Sequence, residues 1–335
     1  MIVGKQSISF ETPPYILSYA SVVGQKEGQG PLGKYFDVVN EDPMIGAENW
    51  EAAESALQKS AANLALQKAN LKPEDIRYLF SGDLLGQIIA SSFGMLDLEI
   101  PMFGLYGACS TAGEALSLAS MTVAAGYAHH ALAVTSSHFA SAEKQFRYPL
   151  EYASQRPLST TWTVTGSGAF VVGTQGKVKI TGITTGKIVD MGIKDANNMG
   201  AAMAPAALKT IMAHFNDLGT DPKEYDLIVT GDLGQLGKDL LLTLAQREGL
   251  ELGGKITDCG TLIYDQMKQD VHAGGSGCGC SAITLCGYLL DQLHCGKWKR
   301  ILFCGTGALL SPTSTQQGLA IPGVCHAVSI ISGRD

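Results

Sequence analysis

The chain has 335 residues, 45% of them hydrophobic and 16% charged, enough to bury a large core and to build two domains or two fused halves. A net charge of −7, with no run of Lys or Arg, argues against nucleic acid as a partner. Eight cysteines lie scattered without the paired spacing of a zinc site, and read as reduced thiols in a reducing compartment.

Met1 to Phe10 is polar and lacks the apolar core of a signal peptide. No later run approaches the ~20 apolar residues of a membrane span, so the expectation is a soluble chain. Ala47 to Asn70 carries Trp50, Ala53, Leu57, Ala61 and Leu64 on one stripe and predicts an amphipathic helix. A turn at Pro73 follows, then the strand-like Arg77 to Phe80 and Ser81-Gly82-Asp83-Leu84. In Leu105 to Leu116 a strand-like run ends at Cys109 and an alanine-rich helical pattern begins. The N–H groups and dipole of a helix start can stabilise a thiolate there. Ala131 to Val134 reads as a buried strand, leading into the polar segment His138 to Arg156. Another strand, Gly166 to Val172, precedes a junction at Gly173 to Val178 that divides the chain into residues 1–175 and 176–335.

The second half repeats the order of the first. Pro205 to Asp217 predicts a helix, followed by Thr220 to Glu224, the strand Asp226 to Val229 and Thr230-Gly231-Asp232-Leu233. Pro73 and Pro222, Gly82 and Gly231, and Asp83 and Asp232 are each 149 positions apart. The Gly-rich run Ala273 to Ser281 opens a helix as Cys109 does, and Arg300 to Phe303 is the later buried strand. Duplicated strand–loop–helix units predict two pseudo-symmetric α/β halves with a site between them.

These features resemble a thiolase-like fold, an α/β arrangement layered αβαβα. The resemblance rests on Gly-Ala-Cys109-Ser, Gly166-Ser-Gly168-Ala-Phe-Val-Val and Gly305-Thr-Gly307-Ala. More specifically the chain resembles the stage V sporulation protein AD family of endospore-forming bacteria. That likeness is carried by Gly30-Pro-Leu-Gly33, Ser81-Gly-Asp-Leu-Leu85, Tyr106-Gly-Ala-Cys-Ser-Thr111 and Thr135-Ser-Ser-His138 through Gln145-Phe-Arg-Tyr-Pro149. Met203-Ala-Pro-Ala-Ala207 and Gly305 through Pro312 extend it over nearly the whole chain. The family implies a protein that binds dipicolinic acid, pyridine-2,6-dicarboxylic acid, and serves its uptake into the developing spore. It implies partners among the other stage V sporulation A membrane proteins and a peripheral place at the forespore or spore inner membrane. Thiolase-fold relatives pair across the edge strand of the first half, which implies a homodimer.

Acyl transfer needs a nucleophile, a proton carrier and donors for the oxyanion. Thiolase-fold enzymes draw the last two from His and Asn in the second half. Here no asparagine follows Asn216, and the histidines beyond that point are His272, His294 and His326. Where a condensing enzyme carries His-x-x-Asn, this chain is expected to present Asp258-Cys259-Gly260-Thr261, whose acid opposes a thiolate. The expected site is therefore non-catalytic. The alternative is an acyl-CoA-dependent acyltransferase or condensing enzyme using Cys109 with His272.

A dicarboxylate needs an apolar slot for its ring and convergent donors. The segment His138 to Arg156 supplies Lys144, Gln145, Arg147, Tyr152, Gln155 and Arg156. Arg147 is the first choice for a carboxylate, against an ion pair with Glu143 or Glu151. His138 is either a donor to the ligand or a satisfied core imidazole. The N–H groups around Cys109 and in the Gly274 to Gly279 loop, Gly275 included, offer a second donor set. Gly305, Thr306 and Gly307 would line the opposite wall, or else serve tight packing between halves. Asp83 would face the pocket or complete a calcium shell, against a capping role shared with Asp232. No resident metal or cofactor is implied; calcium enters only as part of the ligand.

Overall fold

The computed structural model describes residues 1–147 and 156–333. The first half holds strands β1 (Tyr15–Gly24), β2 (Tyr78–Gly82), β3 (Met102–Leu105), β4 (His130–Ser137) and β5 (Gly166–Gly173). Its main helices are α1 (Trp50–Ala69), α2 (Thr111–Ala124) and α3 (Phe139–Phe146). The second half holds β6 (Val178–Thr184), β7 (Leu227–Thr230), β8 (Ile256–Asp258), β9 (Arg300–Ala308) and β10 (Gly323–Ser332). Helices α4 (Met199–Leu218), α5 (Gly234–Arg247) and α6 (Cys278–Thr284) accompany them, α6 continuing through a π-turn to His294.

Strand order in the first half is β3-β2-β4-β5-β1 and in the second β8-β7-β9-β10-β6. The directions match as well. β2 runs parallel to β3 and β4, as β7 does to β8 and β9; the other pairs in both halves are antiparallel. The two sets join where Val178 and Lys179 pair with Ile16 and Tyr15.

Capping explains why the repeat is so regular. The Asn49 side chain accepts from Ala52 N at 2.9 Å to start α1, and Asn198 accepts from Ala201 N at 3.2 Å to start α4. Each helix ends in a left-handed residue, Asn70 or Gly219, and each is followed by a short 3-10 turn entered through Pro73 or Pro222. The 149-residue offset therefore holds for whole elements. One expectation shifts: α4 begins at Met199, so Pro205 lies inside the helix rather than opening it. The Asn198 cap sets the start, and the proline is absorbed within a buried, well-packed turn.

α1 covers one face of the first sheet, and α4 with α5 covers the outer face of the second. α2 lies between them, touching β4 and β2 on one side and β9 and β10 on the other, with α6 beside it. That gives the five layers αβαβα, with the largest apolar core in the middle. Ile2–Val3 and Ser7–Ser9 cross over to the second half, where Ser9 pairs with Gly182 of β6. Among the described residues no helix is long and apolar enough to cross a membrane.

Candidate functional site

A cavity of about 170 Å³ opens between the halves. Its apolar wall comes from Leu84, Tyr106, Phe146, Met199 and Leu310, and its polar groups include Cys109, Glu143, Arg147, Asn197 and Ser276. Both halves contribute, as the duplicated topology requires.

Cys109 sits on the short turn Ala108–Ser110 that leads into α2. Ala108 adopts φ +49°, an unusual conformation for a residue with a side chain. Local hydrogen bonds fix the turn: Ser110 Oγ donates to Gly107 O at 2.6 Å, and Thr111 Oγ1 donates to Ala108 O at 2.6 Å. The thiol reaches the cavity yet is almost wholly shielded from solvent. It faces Asp232, which lies just beyond the end of β7. Burial pushes the Cys109 pKa well up, and the Asp232 charge pushes it further. A helix start would favour a thiolate; here desolvation and a neighbouring acid win, and the sulfur stays a neutral donor.

The sequence had placed Asp258 opposite the thiol. The structure places Asp232 there instead. Asp258 accepts from Leu233 N at 2.8 Å, Gly234 N at 3.0 Å and Thr230 Oγ1 at 2.7 Å, and so ties β8 to the start of α5. With no cation beside it among its contacts, burial lifts its pKa to about 7. Asp232 accepts from Ser276 Oγ at 3.0 Å, Gly277 N at 3.0 Å and Thr306 Oγ1 at 2.9 Å. Burial raises its pKa, while Cys109 and these donors pull it back.

Arg147 lines the cavity with its Nε 3.2 Å from Glu143 Oε2, so the predicted cation and its predicted ion pair occur together. Burial raises the Glu143 pKa against the pull of Arg147. Two other candidate donors are engaged elsewhere. Arg156 pairs with Asp270 and lies 4.9 Å from the Trp162 ring, and Lys144 Nζ is 2.6 Å from Glu51. Glu151, Tyr152 and Gln155 lie outside the described residues.

His138 is a satisfied core imidazole. Its Nδ1 accepts from Ala140 N at 3.2 Å, capping α3, and its Nε2–H donates to Pro43 O at 2.9 Å. Burial lowers its pKa, keeping the ring neutral. Asp83 is likewise committed: Leu85 N and Ser91 N donate at 2.8 Å and Ser91 Oγ at 2.6 Å. That is the capping role, with no oxygen turned to the cavity wall. Asp83 and Asp232 match in the repeat but have diverged in task.

Thr306 lies behind Asp232, both donating to Oδ1 and accepting from Asp232 N at 2.9 Å. Gly307 packs the halves together: a Cβ there would stand 2.5 Å from Gly107 O. Gly275 pairs in register with Trp162, leaving its neighbour Ser276 to face the cavity. His272 does not line the cavity. Its Nδ1 is 3.0 Å from Pro157 O, and its Nε2 is 3.1 Å from Asp270. His294 ends the last turn of its helix, and His326 Nδ1 accepts from Gly186 N at 3.3 Å.

Cys278 mirrors Cys109 in opening a helix, but it is fully buried and its Sγ donates to Ser136 O at 2.8 Å. The acids bearing on it are Glu54, Asp83 and Asp232. Ser276, Asn197 and Asp232 were not singled out as ligand or thiol partners from the sequence. The repeat had marked Asp232, but only the docking of the halves shows what it faces. Among the described residues, no three His, Cys, Asp or Glu side chains are grouped to hold a metal ion.

Residues 4–331 match the family model described as Stage V sporulation protein AD. Over 328 residues the chain is 46% identical to Stage V sporulation protein AD of Bacillus subtilis (strain 168), covering 98% of this chain and 97% of that one. Among solved structures it is similar to a variant of Xanthomonas campestris OleA bound with cerulenin, at TM-score 0.64 and 16% identity, covering 97% of this chain and 98% of that one. It is also similar to 3-oxoacyl-(acyl-carrier-protein) synthase III from Aquifex aeolicus, at TM-score 0.57 and 16% identity, covering 95% and 99%. At such identities the likeness shows the fold alone, and that fold is thiolase-like.

Proposed function

The chain belongs to the stage V sporulation protein AD family, and on that premise we propose that it is a non-catalytic binding protein for dipicolinic acid, free or as the calcium chelate. It serves uptake of the ligand into the developing spore, acting peripherally at the forespore or spore inner membrane with the stage V sporulation A membrane proteins. The observation that carries this reading is the Cys109–Asp232 pair. A condensing enzyme needs a thiolate and a group to accept or deliver protons. Cys109 instead faces a buried acid that keeps its thiol protonated, and no histidine lines the cavity with it among the described residues. A space of about 170 Å³ suits one flat ring better than a long acyl chain. Arg147 offers a guanidinium, and Ser276 and Asn197 offer further donors, to carboxylate oxygens.

The test is calorimetric titration of the protein with dipicolinic acid, first in chelator and then with calcium. Saturable binding is expected, weakened by Arg147→Ala and abolished by Cys109→Phe, which fills the floor of the cavity. Absence of binding in both conditions would sink the reading. Exposure to a short acyl-CoA should leave the mass of the protein unchanged; a stable adduct on Cys109 would restore the acyltransferase alternative.

The proposal extends to a homodimer paired along β3. Among the described residues that strand hydrogen-bonds to β2 on one side only. Phe103 on it is 54% exposed, and nearby in sequence Phe93 and Leu96 are each 67% exposed. An unpaired edge flanked by large apolar side chains supports pairing with a second copy.

A further inference from the structure

Asp232 lies beneath the cavity rather than on its wall. Ser276, which donates to it, and Cys109, which faces it, are themselves wall residues, so a ligand group resting on either is one side chain from the buried carboxyl. The groups that bear on Asp232 are Cys109 at the start of α2, Cys278 and Cys280 on α6, and Cys259 with Asp258 at the end of β8. None is a cation, and one is a second acid. Glu54 and Asp83 lie close enough to Cys278 to act on it too. Among the described residues, the ion pairs engage none of these four carboxyls. The cation at the cavity, Arg147, already faces Glu143. A dianion entering this space therefore arrives above acids that, among the described residues, no ion pair neutralises.

We propose that Asp232 is a specificity-determining group of the cavity, taking up a proton as a dicarboxylate binds, so that ligand and proton enter together. The inference rests on the reading of the chain as a dicarboxylate-binding protein. The hydrogen-bond geometry supplies the means. With Asp232 ionised, Ser276 Oγ–H and Thr306 Oγ1–H both point at its oxygens, 3.0 Å and 2.9 Å away. Once Asp232 is protonated, its own O–H can donate to the Ser276 hydroxyl oxygen. The Ser276 proton is then free to turn into the cavity and donate to a ligand carboxylate. Protonation removes a repelling charge and gains a donor in one step. Burial already raises the Asp232 pKa, in the direction that proton uptake requires.

The test is titration of the full chain with dipicolinate in pairs of buffers with different ionisation enthalpies, from mildly acidic to mildly alkaline pH. From neutral pH upward the free ligand is ionised, and Asp232→Asn tells a proton taken up by Asp232 from one taken up by the bound ligand or another acid. The expected result is a binding heat that differs between buffers in proportion to uptake of about one proton per ligand. Affinity should fall by up to about tenfold per pH unit above the Asp232 transition, because the ionised acid must then be protonated on binding. Asp232→Asn keeps the side-chain shape but takes up no proton; it should bind with buffer-independent heat and a flat pH profile. Wild-type binding without buffer dependence would overturn the inference and leave the binding function standing. Unchanged proton uptake in Asp232→Asn would also overturn it, since the proton then goes elsewhere. Should that variant fail to fold, Ser276→Ala, which removes the hydroxyl linking Asp232 to the cavity, takes its place: unchanged proton uptake and an unchanged pH profile there would overturn the inference. No binding at any pH would overturn the functional reading and the inference with it.

Discussion

Removing the Asp83 carboxylate would strand three donors at once: Leu85 N, Ser91 N and Ser91 Oγ. Buried donors without a partner cost about 1–3 kcal/mol. Asp83→Ala should therefore lower the melting temperature clearly while leaving dipicolinate affinity close to wild type. A variant as stable as wild type but deficient in binding would return Asp83 to the ligand. The contrast with Asp232 is instructive. Both residues follow the same Gly in the repeat, and the sequence justified one shared task for them. Each side chain, however, is settled by what the other half brings against it: Ser91 and its own loop for Asp83, Cys109, Ser276 and Thr306 for Asp232. His138 was undecidable for the same reason, because its partner Pro43 O comes from a segment 95 residues away. Arg147 was readable because its partner, Glu143, is local at i−4.

Elements were far more legible than side chains. Helices α1 and α4, the Pro-led turns and strands β2 and β7 all follow signals written within a few residues of one another: an Asn cap, an apolar stripe, a left-handed stop, a proline. Such local signals survive duplication, and their common offset made the two halves visible. The start of α4 was missed because Pro205 looked like a first-turn residue, whereas Asn198 supplies the cap. Replacing that cap tests the assignment. Asn198→Ala should destabilise the protein by about 1 kcal/mol, with Asn49→Ala costing a similar amount at the matching place. Chemical denaturation would measure both; no loss at position 198 would mean the helix start is held by packing alone.

At the scale of the whole molecule, the arrangement puts α2 and α6 in the middle layer and leaves β3 at an outer edge. If two copies meet there, light scattering should give the mass of two chains. Phe103→Glu should shift the mass toward one, since a charge on each copy would face its own image across the two-fold axis. A wild-type mass of one chain would refute the dimer. A layered pair of halves was readable from the repeat and its five-layer order from the resemblance to the thiolase fold, but the relative docking of the halves was not, and that docking decides which side chains share the cavity.

Duplication also bears on stoichiometry. A repeat of this kind brings two equivalent helix starts toward the centre of the molecule, one headed by Cys109 and the other by Cys278. Evolution has left one of the twins open and sealed the other: Cys278 is enclosed against Ser136 O, with Asp83 turned to its own loop. The inherited symmetry is thus broken at the level of occupancy, and each chain should carry a single molecule of cargo rather than two.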